Sequence, residues 1–181
     1  MDRLQLRLPA PEMAEELLAY RRELDLTHDR DRYAGCAGIQ RFDTIGEWLS
    51  QLALLADPAT CPEGKVPSVL YAAVREEDGR IVGLIDLRRH IRHPILGTWG
   101  GHIGYNVRPS ERGKGYAPVM LQAALSVYAA WGIPEVLVTC NSDNTPSERT
   151  ILHCGGRPDG EVTANGEIIR RYLVPTDRQC R

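Results

Sequence analysis

The opening Leu4-Gln5-Leu6-Arg7-Leu8 alternates apolar and polar residues, the period of a half-buried strand. Pro9 and Pro11 interrupt it. Glu12 to Leu26 then reads as a helix, with Met13, Leu17, Leu18 and Leu24 loosely on one face. From Asp25 to Phe42 no period holds, and Gly35 and Gly38 sit among polar residues. Asp43 or Thr44 is placed to cap a second helix carrying Trp48, Leu49, Leu52 and Leu55. A proline-containing loop spans Asp57 to Pro67.

The rest of the chain is patterned more sharply. Ser68 to Arg75 and Ile81 to Arg88 are β-rich runs around Glu77-Asp78-Gly79, a hairpin signal. After a loop from His90 to Gly101 comes a strand-like run ending at Val107. Met120, Leu121, Ala124, Leu125, Tyr128 and Trp131 recur at spacings of three and four, so Ala117 to Trp131 is a helix with a packing stripe. Glu135 to Cys140 is the continuous run of a buried strand. Thr145-Pro146-Ser147-Glu148 fits a capping box with proline at the first helical position, and Gly155-Gly156 stops that helix. Arg157 to Val162 and Glu167 to Val174 flank Ala164-Asn165-Gly166, a last hairpin. The order β-α-α-β-β-β-α-β-α-β-β predicts a mixed α/β (α+β) domain, its sheet largely antiparallel with one parallel crossover at the centre.

Composition narrows the function classes. The 181 residues suit one domain, taken as 1–181, with enough chain to bury a core. A formal charge of −2 gives no footprint for nucleic acid, and basic residues are scattered rather than clustered. No apolar run approaches a membrane span, and the first residues lack the apolar core of a signal peptide. Cysteines 36, 61, 140, 154 and 180 form an odd set without metal-ligand spacing, so reduced thiols and a cytoplasmic setting are expected, with no metal. His90 and His93 flank a proline loop without further ligands nearby.

One short segment carries chemistry. Arg112-Gly113-Lys114-Gly115-Tyr116-Ala117 joins the strand ending at Val107 to the helix that follows. A glycine-punctuated turn at that junction leaves backbone N–H groups free at the positive end of the helix, a site for a phosphate or pyrophosphate. A P-loop would need Lys and then Ser or Thr after its second glycine, and Tyr116 and Ala117 follow Gly115 instead. A dinucleotide fingerprint fails at its third glycine, where Pro118 stands. An ordinary glycine-rich turn is the competing reading of these six residues alone.

What remains, Arg-x-x-Gly-x-Ala, resembles the pyrophosphate-binding motif of the GNAT acetyltransferase superfamily. The element order resembles that superfamily too, most firmly from about Val69 to Leu173. A narrower likeness to one bacterial branch rests on Gly100 to Tyr105, Asn144 to Ser147, Gly155-Gly156 and Ile168 to Tyr172. The resemblance implies a GNAT fold with a splayed central strand pair, and acetyl-CoA as co-substrate. It implies that Gly113, Gly115, Tyr116 and Ala117 hold the pyrophosphate, with Arg112 and Lys114 as the charges beside it. The N–H of Asn106 or Val107 would face the thioester carbonyl, and Asn144 and Ser147 would flank the far side of the pantetheine arm.

The same resemblance leaves a gap. Many of these enzymes carry a proton-donating tyrosine seven positions after the asparagine, and here that position is Ile151. For the general base, His102 is the candidate, because imidazole titrates near neutral pH and the residue lies on the strand beside the cleft; a histidine hydrogen-bonded in the sheet is the alternative. Tyr105, on the opposite face by alternation, reads as packing. Asp86 could hold an ammonium, but reads rather as an exposed strand-end charge. Cys140 reads as a small buried hydrophobe. The expected function is direct acetyl transfer to a primary amine on a small molecule or peptide, with a non-catalytic acyl-CoA-binding or sensor module as the alternative. Asp25, Asp29, Asp31 and Asp43 would favour a cationic acceptor. A homodimer is compatible with all of this, and no nucleic acid or membrane partner is expected.

Overall fold

The computed structural model describes residues 3–177. Its elements follow the predicted order: β1 (Leu4–Arg7), α1 (Ala14–Asp25), α2 (Ile45–Ala56), β2 (Ser68–Arg75), β3 (Ile81–Arg88), β4 (Ile103–Val107), α3 (Tyr116–Ala130), β5 (Glu135–Asn141), α4 (Thr145–His153), β6 (Arg157–Ala164) and β7 (Glu167–Pro175). Helix caps match the sequence closely. Thr44, not Asp43, caps α2 in a full capping box with Glu47. For α4 the cap lies one residue earlier than expected: Asn144 accepts from the Ser147 N–H, and Pro146 occupies the first turn. Asn165 and Gly166 both have positive φ, the backbone of a tight hairpin between β6 and β7.

The strands form two sheets, β1-β2-β3-β4 and β5-β7-β6. Every ladder described is antiparallel. The expected parallel crossover exists as a connection, with α3 carrying the chain from β4 to β5, but no ladder joins those two strands. They meet only at their root. His102 N–H donates to the Leu137 carbonyl at 2.7 Å, and Leu137 N–H donates to His102 Nδ1 at 2.9 Å.

The first sheet is covered on both faces, which explains why β2 and β3 read as nearly unbroken apolar runs. Leu70, Ala72, Val74 and Leu84 pack with Leu17, Tyr20, Leu24 and Trp48 under α1 and α2. Ala73, Ile85, Leu87 and Ile103 pack on the other face with Met120, Leu121, Leu125 and Tyr128 of α3. Tyr20, absent from the predicted stripe, is fully buried and donates to Asn106. Arg108, just after β4, is also buried; its guanidinium binds Glu23 at 2.6 Å and Glu16 at 2.5 Å, tying α1 to the end of that strand. Cys36, Cys61 and Cys140 are free thiols, as expected; Cys154 is not one of them, and Cys180 lies outside the described residues.

The segment between α1 and α2 lies directly on β4. Gly35 has φ +68°, and a Cβ there would run into the Gly104 carbonyl and the Tyr105 Cα. Gly35→Ala therefore should lower the unfolding free energy by about 1–3 kcal/mol, through overpacking and a left-handed backbone. The urea midpoint should fall while the slope holds. An unchanged midpoint would mean that the segment does not bear on β4.

Candidate active site

The open edge of β4 builds the site. Arg88 N–H donates to the His102 carbonyl and Arg108 N–H to the Val82 carbonyl, and the register pairs Leu84 with Asn106 and Asp86 with Gly104. Backbone groups in an antiparallel pair face the partner at every second residue. The even-numbered residues of β4 are thus committed to β3, whereas the N–H groups of Tyr105 and Val107 face the gap toward β5. Of the two N–H groups expected to face the thioester, that of Val107 is turned to the gap and that of Asn106 is spent on β3. The Asn106 side chain is buried on the other face, donating to the Arg32 carbonyl at 2.7 Å and accepting from Tyr20. Its work is to hold the α1–α2 segment.

A cleft of about 550 Å³ runs from this edge to the glycine turn. Asn106, Val107, Arg112, Gly113, Gly115, Tyr116, Ala117, Asn144 and Ser147 all line it, so nine predicted residues share one cavity. Gly113 and Gly115 have φ +75° and +83°. Gly115 caps α3 without any side-chain bond, and the positive end of the helix is turned to the cleft. A Cβ on Gly113 would meet nothing within 4 Å, consistent with a cradle open to solvent. The backbone therefore fits a diphosphate.

The charged residues behave differently from expectation. Lys114 does not line the cleft; its Nζ binds Glu111 at 2.8 Å. Glu111 is 4 % exposed and also meets Arg75 at 3.0 Å and Arg80 at 3.1 Å. Burial would raise the Glu111 carboxyl, but bonds from Lys114 and Arg75 hold it below the usual range. Lys114 thus braces the loop from behind. Arg112 lines the cleft while pairing with Asp29 and donating to the Val107 carbonyl at 3.2 Å. Arg149 on α4 was not foreseen. It lines the cleft, is exposed, and has no carboxylate partner among the described residues. Nothing in its local sequence marks it, because its place depends on how α4 packs.

At its inner end the cleft meets a second cavity of about 290 Å³. Tyr105 and Ser147 line both, and their hydroxyl oxygens lie 2.7 Å apart. Tyr105 is therefore a cleft residue and not mere packing. Burial pushes its phenol up to about 12, partly offset by the Ser147 hydrogen bond. Asp31 and Glu167 stand at the mouth of this cavity. Asp31 accepts from Asn141 Nδ2 at 2.8 Å. Partial burial and then the Glu167 charge raise the Asp31 carboxyl above its ordinary value. The other acidic candidates are occupied or elsewhere: Asp29 pairs with Arg112, Asp25 accepts from Tyr33, and Asp43 precedes the α2 cap.

Two further expectations change. His102 lines neither cavity. Its Nδ1 holds the Leu137 N–H, its ring packs edge-on to Tyr128, and burial followed by the Arg88 charge lowers its pKa to about 4. The general-base assignment is corrected to a fastener of the β4–β5 root. Asp86 is buried at 6 % exposure, not an exposed strand end, and its Oδ1 has no hydrogen-bond partner. Cys140 is buried, as expected of a small hydrophobe; it also lines the second cavity, where burial and then the Glu148 charge push its thiol to about 11, against a role as nucleophile. Ile151 is fully buried in the core. Among the described residues no group of three or more His, Cys, Asp or Glu could hold a metal ion, and no helix is long and apolar enough to cross a membrane.

Comparisons with known proteins bear on the family and the fold. The family model described as an acetyltransferase (GNAT) domain matches residues 3–157. No curated protein matches the chain. Among solved structures, a ribosomal-protein-S5-alanine acetyltransferase from Vibrio fischeri is similar at TM-score 0.70 and 15 % identity, over 100 % of this chain and 97 % of that one. RimJ from Mycobacterium smegmatis, in complex with CoA-disulfide, gives 0.67 and 20 %, over 95 % and 81 %. Mutant forms of the spermidine/spermine N-acetyltransferase SpeG from Vibrio cholerae give 0.58 and 14 %, over 96 % and 94 %. At these identities the likeness concerns the fold, and it is the mixed fold with a splayed strand pair.

The His102 assignment has a pH consequence. The folded ring resists protonation until about pH 4, while the unfolded ring takes a proton near 6.5. Between those values the unfolded state binds more protons, so stability is complete above about pH 6.5 and falls as pH drops toward 4. Urea titrations across that window should show the loss, and His102→Gln should flatten it. A His102 resonance titrating near 6.5 in the native protein would refute the assignment.

Proposed function

The chain belongs to the GNAT acetyltransferase family, and we propose that it transfers an acetyl group from acetyl-CoA directly to a primary amine bound beside Asp31. One observation supports this reading above the others: the cleft with the glycine turn at one end opens into an acid-lined cavity at the other, and Tyr105 and Ser147 belong to both. A donor bound along β4 and an acceptor in the second cavity would meet at those two residues.

Acetyl-CoA supplies the activated acyl group; the chain supplies position and protons. The first turn of α3 and the backbone of Gly113 and Gly115 hold the diphosphate, with Arg149 reaching it across the cleft. The free N–H groups along β4 pair with the amides of the pantetheine arm as an added strand would. Val107 N–H donates to the thioester oxygen as negative charge gathers there, an interaction of about 3 kcal/mol in a preorganised site. Asp31 accepts a proton from the incoming ammonium, leaving a lone pair to attack the carbonyl carbon. As the carbon–sulfur bond breaks, Tyr105 donates its phenolic proton to the departing sulfur, and the second proton of the attacking nitrogen returns to the phenolate by way of Ser147, so that amide, thiol and phenol all end neutral. Tyr105 thus stands in for the tyrosine that Ile151 replaces. An acid and a base on opposite sides of the acyl group suffice for direct transfer, and Cys140 is not needed.

Thiol release with a panel of primary amines tests the reading. Tyr105→Phe and Asp31→Asn should each lower kcat on the order of 100-fold with acetyl-CoA affinity retained. In the wild type, the acid limb of the pH–rate profile should lie above the ordinary aspartate value of 3.8, because Asp31 works only when ionised and its pKa is raised. Acetyl-CoA binding without thiol release for any amine would favour the acyl-CoA-binding module instead.

Cofactor binding is checked separately. Arg149→Glu should weaken acetyl-CoA in calorimetry by roughly tenfold, about 1.4 kcal/mol, with the difference shrinking as salt rises. Equal affinities at low salt would remove Arg149 from the site.

A further inference from the structure

A third cavity, of about 690 Å³, lies between the α1–α2 segment and the loop preceding β4. It shares Ala34, Gly35, Arg88 and Trp99 with the acid-lined cavity, so the two chambers adjoin along these residues. Asp86 belongs to the lining and is 6 % exposed. Its Oδ2 lies 3.2 Å from Arg88 Nε, while its Oδ1 accepts no hydrogen bond. Burial raises the Asp86 carboxyl above its ordinary value, and the Arg88 charge and then Ser68 offset part of that, but neither closes a bond to Oδ1. Arg88 meets Asp86 through Nε, and its Nη1 donates instead to the carbonyls of Gly100 and Gly101. A buried carboxylate oxygen without a donor is costly, and a group that fills this chamber can remove that cost by bringing an N–H.

The rim has the opposite character. Arg41 and Lys65 are exposed there, and neither has a carboxylate partner among the described residues. Phe42 and Trp99 supply apolar wall between rim and floor. A long polycation would leave these two charges facing its own. An amide-bearing body with an outer carboxylate complements both ends.

We propose that this chamber is the specificity pocket for the acceptor, taking an amine whose body presents an N–H to Asp86 Oδ1 and an anionic group to Arg41 and Lys65. The substrate class is an amine of amino-acid or acidic-peptide type, and not a polyamine. Asp86 is a recognition residue here; the reacting amine lies past Gly35 and Trp99, near Asp31. The proposal rests on the acetyl-transfer reading, which places the reacting amine in the neighbouring chamber.

The test is binding and turnover with two probes, the dipeptide Ala-Glu and spermidine, using the full chain saturated with CoA for binding and with acetyl-CoA for turnover. The dipeptide should bind at least about tenfold more tightly than spermidine. Asp86→Asn should weaken the dipeptide about tenfold while CoA affinity holds. Because a buried substitution can disturb folding, the exposed pair Arg41→Glu with Lys65→Glu is the second arm, and it should reverse the order of the two probes. Equal binding of both probes, binding of neither, or an order unmoved by the rim variants would overturn the pocket. Dipeptide binding with no thiol release would sustain the pocket and sink the transfer reading. Turnover of spermidine in preference to the dipeptide would do the reverse.

Discussion

Pairing between β4 and β5 stops at its root, and the site exists because of that stop. Two hydrogen bonds between His102 and Leu137 hold the strands together at one point. Beyond it β5 finds its partner in β7, and β4 keeps only β3. Tyr105 and Val107 are left with backbone groups that nothing in their own sheet can satisfy. An unpaired strand edge inside a fold is unfavourable unless water or a ligand completes it. The gap is kept open by neighbours that leave β4 no freedom to close it. Gly35 lies against Gly104 on one side, Asn106 is bonded to Tyr20 and Arg32, and Arg108 is locked to Glu16 and Glu23.

The charge around the glycine turn follows the same logic of support and display. Glu111 gathers Arg75, Arg80 and Lys114 beneath the loop, so three cations shape the turn. Positive potential in the cleft then comes from the uncapped start of α3, from Arg112 and from Arg149. Backbone donors cannot rotate away or titrate, which suits them to a ligand that must be held in register with the strand edge. The mobile cation Arg149 comes from another helix and adds attraction across the gap.

The element order, both hairpins, the α2 cap and the glycine turn were legible in the sequence, because each rests on local chemistry: apolar period, left-handed glycine, a side chain capping its own helix. Nine residues of the predicted site fall in one cleft for the same reason, since they cluster at two strand–helix junctions. What could not be read depends on which edge of β4 lies open. Alternation correctly separates Tyr105 from its neighbours, but it cannot say that Tyr105's face is the one turned to α4 and the gap. It likewise could not tell which of Asn106 and Val107 keeps a free N–H. His102 looked available because its partner, Leu137, lies 35 residues further on. Asp86 did carry a local sign. It sits in Ile-Val-Gly-Leu-Ile-Asp-Leu, a run buried on both faces, where a carboxylate cannot escape to solvent.

In the proposed transfer, position 151 need not carry the acid. At that position of α4 the isoleucine is fully buried in the core cluster that α4 shares with α3. The same helix presents Ser147 one turn earlier, and the Ser147 hydroxyl reaches Tyr105. A phenol carried by β4 is fixed by the strand's own ladder, whereas one carried by a short helix would move with that helix. Held near a pKa of about 12, it keeps its proton at neutral pH and can present it to a sulfur lying along the strand edge. The acid would thus sit on the strand that also bears the Val107 N–H, and a single rigid element would fix both the oxyanion donor and the proton donor.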